Sequence, residues 1–338
     1  MRRREFIAGT TAVAAMGFAH PVFAQANPSS GVKRLAIFHP TETLEGLKGR
    51  PGYKAYFREL NRLGYIEGQT LIVDRYSALG QPDRYETLAR EIVASRPDVI
   101  FPLSVPMTQR INALTTNIPI VLLTGDPVAY GFTTSLARPS GNITGVTTDA
   151  GFELWGKRFQ LLLEAAKKLT NVCFLRAGAV RSAGGERQEA ELREAARQAG
   201  ISLSGILMNE KLDRAAYERT FEKMEKDGVD GLVVQDSSEH LTYRQLIVYL
   251  AAKVRLPTIY PVREFVEVGG LMAYGIDVAD VMRRVADMTD QVLRGVKPSD
   301  IPFYQATKYE LVLNQKAATS LGLQFPPTLL TAADEVIE

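Results

Sequence analysis

Cysteine is nearly absent: Cys173 is the single one in 338 residues, so no disulfide can form within the chain. Paired Cys and His-Glu-x-x-His are both missing, which removes the standard zinc sites. Histidine is scarce too, with three in all, His20, His39 and His240. A Ser-His-Asp triad would need one of them, and neither His39 nor His240 lies near a nucleophile-elbow sequence. There is no Gly-x-x-x-x-Gly-Lys-Ser/Thr loop, which excludes the standard nucleotide hydrolases. There is no Gly-x-Gly-x-x-Gly opening the first helix, so the dinucleotide fingerprint is missing as well. Beyond residue 24 no apolar run reaches the roughly 18 residues that a membrane span needs. Excess charge is also lacking. Lys and Arg total 40 against 38 Asp and Glu, and setting aside Arg2, Arg3, Arg4 and Glu5 leaves 37 of each. A neutral body offers no electrostatic footprint for nucleic acid and no attraction to a charged membrane surface.

What is present is an ordinary globular composition, 46% hydrophobic and 23% charged. The length suits about two domains of roughly 150 residues each. Residues 1–24 read as a secretory signal. Arg2, Arg3 and Arg4 precede an Ala-rich apolar stretch from Phe6 to Phe18, and Val22-Phe23-Ala24 supplies small residues where a signal peptidase cuts. Ala24-Gln25-Ala26 is a second possible cut, and Arg3-Arg4-Glu5-Phe6-Ile7 resembles a twin-arginine export motif. No Cys sits at the cleavage site, so a lipid anchor is not expected, and the mature protein is expected in the periplasm.

The body alternates short apolar runs with helical periodicities. Strands are expected at 35–38, 71–73, 98–101 and 119–123, with helices over about 53–63, 83–95 and 105–115 between them. The pattern restarts after Gly141-Asn-Ile-Thr-Gly145. A helix at 153–169 is followed by strands at 172–175, 201–207, 231–234, 258–260 and 271–274. Helices at 185–199, 213–227, 238–254 and 278–293 and a short one near 262–267 separate or follow them. The tail reads as a strand at 310–313, a helix to Leu321 and an irregular end. This is an α/β chain of two doubly wound Rossmann-like lobes. With no low-complexity linker between them, the lobes are expected to hinge around one cleft, at the carboxyl ends of their strands.

Polar residues at those strand ends are the candidate ligand contacts: His39, Thr41, Ser104, Thr124 and Asp126 in the first lobe, and Asp236, Ser237, Tyr260, Tyr274 and Asp277 in the second. Ser104 and Ser237 stand at helix starts, where free N–H groups suit a carboxylate, but either serves equally as a plain cap. Asp126 or Asp236 can pair with an ammonium, while Asp126-Pro127 also reads as a turn. Tyr260 and Tyr274 can stack on an apolar ligand or pack in the core. Cys173 reads as a core residue.

Further motifs carry a resemblance. They are Asp126-Pro-Val128, Ser135-Leu-Ala-Arg-Pro-Ser-Gly-Asn-Ile-Thr-Gly145, Gly156-Lys-Arg158, Pro257-Thr-Ile-Tyr260, Arg263-Glu-Phe265 and Gly269-Gly-Leu-Met-Ala-Tyr-Gly275. A tail from Pro302 through Glu310-Leu-Val-Leu-Asn314 to Ala333-Asp-Glu-Val-Ile337 completes the set. In this order they resemble the ABC-transporter substrate-binding proteins of the tryptophan/tyrosine-binding type, over about residues 33–338. The resemblance implies a type I periplasmic-binding-protein fold with three crossovers. One lobe would hold 33–146 plus 276–297 and the other 147–275 plus 298–338, with the last crossing between 295 and 302. It also implies a small-molecule ligand, such as an aromatic amino acid or related carboxylate, delivered by hinge closure to an ABC permease and its ATPase. No cofactor, no catalysis and a monomeric state are implied. A ligand-binding component of a sensory system is the alternative. The family's Asp-Pro aspartate falls on Asp126, whereas its usual Gly-Thr-Pro-Ala helix start reads Leu103-Ser-Val-Pro-Met107 here.

Overall fold

The computed structural model describes residues 31–148, 153–177, 183–208 and 212–338. The stretch read as a secretory signal lies outside the described residues. The first lobe runs β1 (Lys33–His39), α1 (Gly46–Gly49), α2 (Pro51–Arg62), β2 (Leu71–Ser77), α3 (Tyr85–Ala94), β3 (Val99–Pro102), α4 (Val105–Leu114), β4 (Ile120–Thr124) and β5 (Ile143–Thr147). The second takes α5 (Glu153–Ala165), β6 (Asn171–Ala177), α6 (Ala183–Ala199), β7 (Ser202–Met208), α7 (Arg214–Lys226), β8 (Gly231–Val234), α8 (Ser238–Thr242), α9 (Arg244–Lys253), β9 (Thr258–Tyr260) and β10 (Met272–Ile276). The chain returns to the first lobe for α10 (Val278–Leu293) and β11 (Tyr304–Gln305). It closes on the second with β12 (Tyr309–Asn314), α11 (Gln315–Leu321), α12 (Pro327–Ala332) and β13 (Glu335–Ile337).

The apolar runs are strands because both faces of each sheet are covered by helices, as parallel sheets require. Leu35, Ala36, Ile37 and Phe38 are fully buried, as are Leu232, Val233 and Val234. The first sheet has the order β11-β5-β4-β3-β1-β2 and is parallel throughout. The second has the order β13-β12-β10-β9-β8-β6-β7, with β12 antiparallel to β10. Within these, β2-β1-β3-β4-β5 and β7-β6-β8-β9-β10 share one arrangement, the 2-1-3-4-5 winding whose carboxyl edge receives ligands. The repeat legible in the sequence is thus a repeat of topology.

Helix α10 completes the first lobe. Its first turn is capped by Asp277, whose Oδ1 accepts from the Asp280 N–H at 2.9 Å. Its apolar face, with Val281, Val285, Val292 and Leu293, is buried, and the helix packs on α2 and the first sheet. Tyr56 and Thr289 share a buried hydroxyl hydrogen bond of 3.1 Å there. Two glycines allow close backbone approaches near the crossings. A Cβ on Gly145 would strike the Leu122 carbonyl, and one on Gly275 would strike the Pro261 carbonyl.

The last crossing differs from the expectation of 295–302. Residues 298–305 stay with the first lobe: Thr144 Oγ1 donates to Ile301 O at 2.7 Å, and β11 pairs with β5. Ile301 and Phe303 are buried there, so the apolar residues after the Gly295 and Pro298 breaks keep the chain on the first sheet. The crossing falls between Gln305 and Tyr309. Strands β5, β11 and β13 and helix α12 were not expected from the pattern, and the 238–254 helix is split at Tyr243 into α8 and α9. No helix among the described residues is long and apolar enough to cross a membrane.

Candidate functional site

The carboxyl ends of the two sheets face one another and touch. Thr41, after β1, meets Thr242 of α8 through their hydroxyls at 2.7 Å. Asp126, after β4, accepts from Arg187 Nη1 of α6 at 3.0 Å. Beside that ion pair lies a cavity of about 40 Å³, lined from the first lobe by Gly125, Asp126, Tyr130 and Thr148. Leu154, Trp155, Arg158, Arg187, Gln188, Glu191 and Asp236 line it from the second.

Arg158 is the principal charge of the site. It is 1% exposed, on the inward face of α5 with Trp155, Phe159 and Leu162. Its Nε donates to Tyr274 O at 2.7 Å and its Nη2 to Pro261 O at 3.2 Å, and its guanidinium lies 4.5 Å over the Trp155 ring. Gly275 makes this possible, since a side chain there would collide with the Pro261 carbonyl and crowd Arg158. Nη1 is buried with no hydrogen-bond partner among the described residues. Burial pushes the guanidinium down to about 10 while Asp236 opposes the shift, so it stays charged at neutral pH.

Asp236 follows β8 and is the counter-charge. The atoms packed around it push its carboxyl up while Arg158 pulls it down. Its own surface nevertheless remains open to the cavity. A buried donor without an acceptor and an open carboxylate therefore stand in one cavity, against Trp155. Such a pair can receive a group carrying both charges. Thr124, at the end of β4, is buried and does not line the cavity; its Oγ1 has no hydrogen-bond partner among the described residues.

The other expected contacts are placed variously. Asp126 lines the cavity, but Oδ1 caps its own turn by accepting from the Val128 and Ala129 N–H groups, and Oδ2 is taken by Arg187. Thr41 works as a lobe-to-lobe contact. Ser104 and Ser237 are N-caps, accepting from Met107 and His240 N–H. Tyr274 contributes its carbonyl to Arg158, and its half-buried ring lies 6.0 Å from Tyr309. Three positions lie outside the cavity lining. Tyr260 is 1% exposed and stacked on Phe265 at 4.8 Å, within the core. His39 is buried, its Nδ1 accepting from the Thr41 and Glu42 N–H groups, which fixes the loop after β1. Asp277 caps α10 and pairs with Lys308 at 2.6 Å at the crossing. Cys173 is buried, as expected.

Arg158, Trp155, Tyr130 and Arg187 were not among the expected contacts. A signal existed for Arg158: positions 154, 155, 158, 159 and 162 share one helical face, and a lone charge on an apolar stripe needs a reason.

A model of the family described as ABC transporter substrate binding protein matches residues 52–337. A tyrosine-binding protein of Clostridioides difficile is 23% identical over 274 residues, 80% of this chain and 76% of that one. Among solved structures, a conserved domain protein from Vibrio cholerae aligns with a TM-score of 0.79 at 22% identity, over 90% of this chain and 99% of that one. An ABC domain from Streptococcus pneumonia in complex with L-Trp aligns with a TM-score of 0.78 at 22% identity, over 91% of this chain and 100% of the other.

Proposed function

Because the chain belongs to the family of ABC transporter substrate binding proteins, we propose that it captures an α-amino acid between its lobes and delivers it to an ABC permease. The observation that carries this reading is the pairing of a buried, partly unused guanidinium, Arg158, with the open carboxylate of Asp236 in one cavity. The ligand carboxylate meets Arg158 Nη1 and its ammonium meets Asp236. Trp155 and Tyr130 supply apolar surface for the side chain, and the tyrosine-binding relative and the L-Trp complex favour an aromatic one. Arg158 and Asp236 both belong to the second lobe, so ligand docks there first. The first lobe then closes over it, and the Asp126–Arg187 and Thr41–Thr242 contacts form last. The protein acts as a monomer in the periplasm after export through its N-terminal signal, whose paired arginines favour the twin-arginine route.

A thermal-shift screen of the protein, freed of bound small molecules by unfolding and refolding, tests this. Ligand at 100 times its dissociation constant stabilises by about 2.7 kcal/mol, several degrees for a chain of this size. The expected result is a shift confined to amino acids, abolished by Asp236→Asn. A flat response to all amino acids would contradict the proposal.

A further inference from the structure

The α6 wall of the cavity carries a side chain whose orientation is fixed two steps away. Gln235 follows β8, and its backbone N–H donates to Leu175 O at 2.9 Å, which pins it beside β6. Its side-chain amide has one orientation open to it. Ala177 N–H donates to Gln235 Oε1 at 3.1 Å. A backbone N–H can only donate, so the amide oxygen must face it. Nε2 then points the other way and donates to Gln188 Oε1 at 2.9 Å.

The constraint passes on to Gln188. Its oxygen is held towards Gln235, so the open branch of its amide is the nitrogen. Among the described residues Nε2 meets no acceptor, and it is not sealed from solvent. Gln188 is half-buried and lines the cavity. The cavity wall therefore offers N–H donors there.

Glu191 lines the same cavity three residues further along α6, so the two share one helical face. Its side chain is 13% exposed, and its Oε1 lies 3.8 Å from Arg187 Nε. A carboxylate accepts several hydrogen bonds at once, so Glu191 can take a further donor. A donor and an acceptor thus stand side by side, and Leu154 and Trp155 add apolar surface to the same cavity. A hydroxyl satisfies both, accepting from Gln188 and donating to Glu191. A hydrocarbon side chain leaves both without a partner, at a cost. A side-chain carboxylate is repelled by Glu191, and an ammonium has no lone pair for Gln188.

We propose that Gln188 and Glu191 read the far end of the ligand and select an amino acid whose side chain ends in a hydroxyl, a phenol suiting the apolar surface. Gln235 is a positioning residue, acting on the ligand only through Gln188. This selection rests on the amino-acid reading above.

Calorimetry of the ligand-stripped protein with L-tyrosine, L-phenylalanine and 4-amino-L-phenylalanine tests it. The wild type should bind L-tyrosine about tenfold tighter or more than L-phenylalanine, and Gln188→Leu should bring that ratio within about threefold. Gln235→Glu gives the sharper readout. A carboxylate at 235 still accepts from Ala177 N–H but cannot donate to Gln188, so the Gln188 amide turns and shows its oxygen to the ligand. Two acceptors then face a phenol with one proton. The tyrosine preference should fall, and the amine, with two N–H groups, should gain on L-tyrosine. A Gln188–Gln235 bond that only held α6 in place would lower the thermal midpoint of both variants and leave the affinity ratios unmoved, which overturns the proposal. Equal binding of L-tyrosine and L-phenylalanine by the wild type overturns it too, while the amino-acid reading stands. If no amino acid binds, that reading fails and the selection fails with it.

Discussion

Replacing Arg158 by Met is the sharpest perturbation of the second lobe. Met keeps much of the stem volume and removes the guanidinium. Two carbonyls, Tyr274 O and Pro261 O, lose donors at 2.7 and 3.2 Å, and each buried group left unsatisfied costs about 1–3 kcal/mol. The contact with Trp155 at 4.5 Å adds about 1 kcal/mol. Against this stands the recovered cost of holding a charge in the interior, with Nη1 already unpartnered. The balance is a loss of about 3 kcal/mol, or roughly 4 °C in midpoint for a chain of this length. Urea unfolding at pH 7.5 measures it, with Lys157→Met as control: Lys157 is the exposed neighbour on the same helix and should change stability by less than about 0.5 kcal/mol. A loss below about 1 kcal/mol for Arg158→Met, or a gain, would refute the view that this arginine ties α5 to β9 and β10.

Arg187→Ala removes one cross-lobe ion pair whose partners are 33% and 21% exposed, worth about 1 kcal/mol or less. Ligand affinity should weaken by up to about fivefold through the closed population, and a loss beyond about 100-fold would mean a direct ligand contact instead. Acid should destabilise the fold through its two buried histidines, His39 and His240, both lowered to about 3 by burial first. A depressed histidine contributes stability that is present above its unfolded pKa and lost as pH falls from about 6.5 towards 3. Between pH 7.5 and 5 each should cost about 2 kcal/mol, and a flat stability profile over that range would contradict their neutral burial.

The two-lobe architecture was legible because it is written in period and punctuation. Buried parallel strands read as Val/Ile/Leu runs such as 119–123, and Gly64, Gly200 and Gly295 end their helices. The unexpected elements have weak local signals. β5 contains Thr144, Gly145 and Thr147, polar or small residues buried only because neighbouring strands cover them. β11 is two residues long and exists only as a partner of β5. The site was half legible for a related reason. Asp236 and Asp126 stand at strand ends, where topology alone directs attention. Arg158 and Trp155 reach the cavity from a helix, and no strand-end rule finds them. For Tyr260 the sequence leaves ligand contact and core packing both open, because a residue ending a strand can point to either face; in the structure its ring is buried and stacks on Phe265, five residues on.

The claim on which the rest depends is that a zwitterion is held between Arg158 and Asp236. Calorimetric titration of the ligand-stripped protein with L-tyrosine and L-tryptophan, and with the same acids lacking the α-amino group, tests it most directly. At least one amino acid should bind, and its deaminated form should bind about 100-fold more weakly or worse, because Asp236 then faces the ligand without a partner. Equal affinity for the two forms would contradict it.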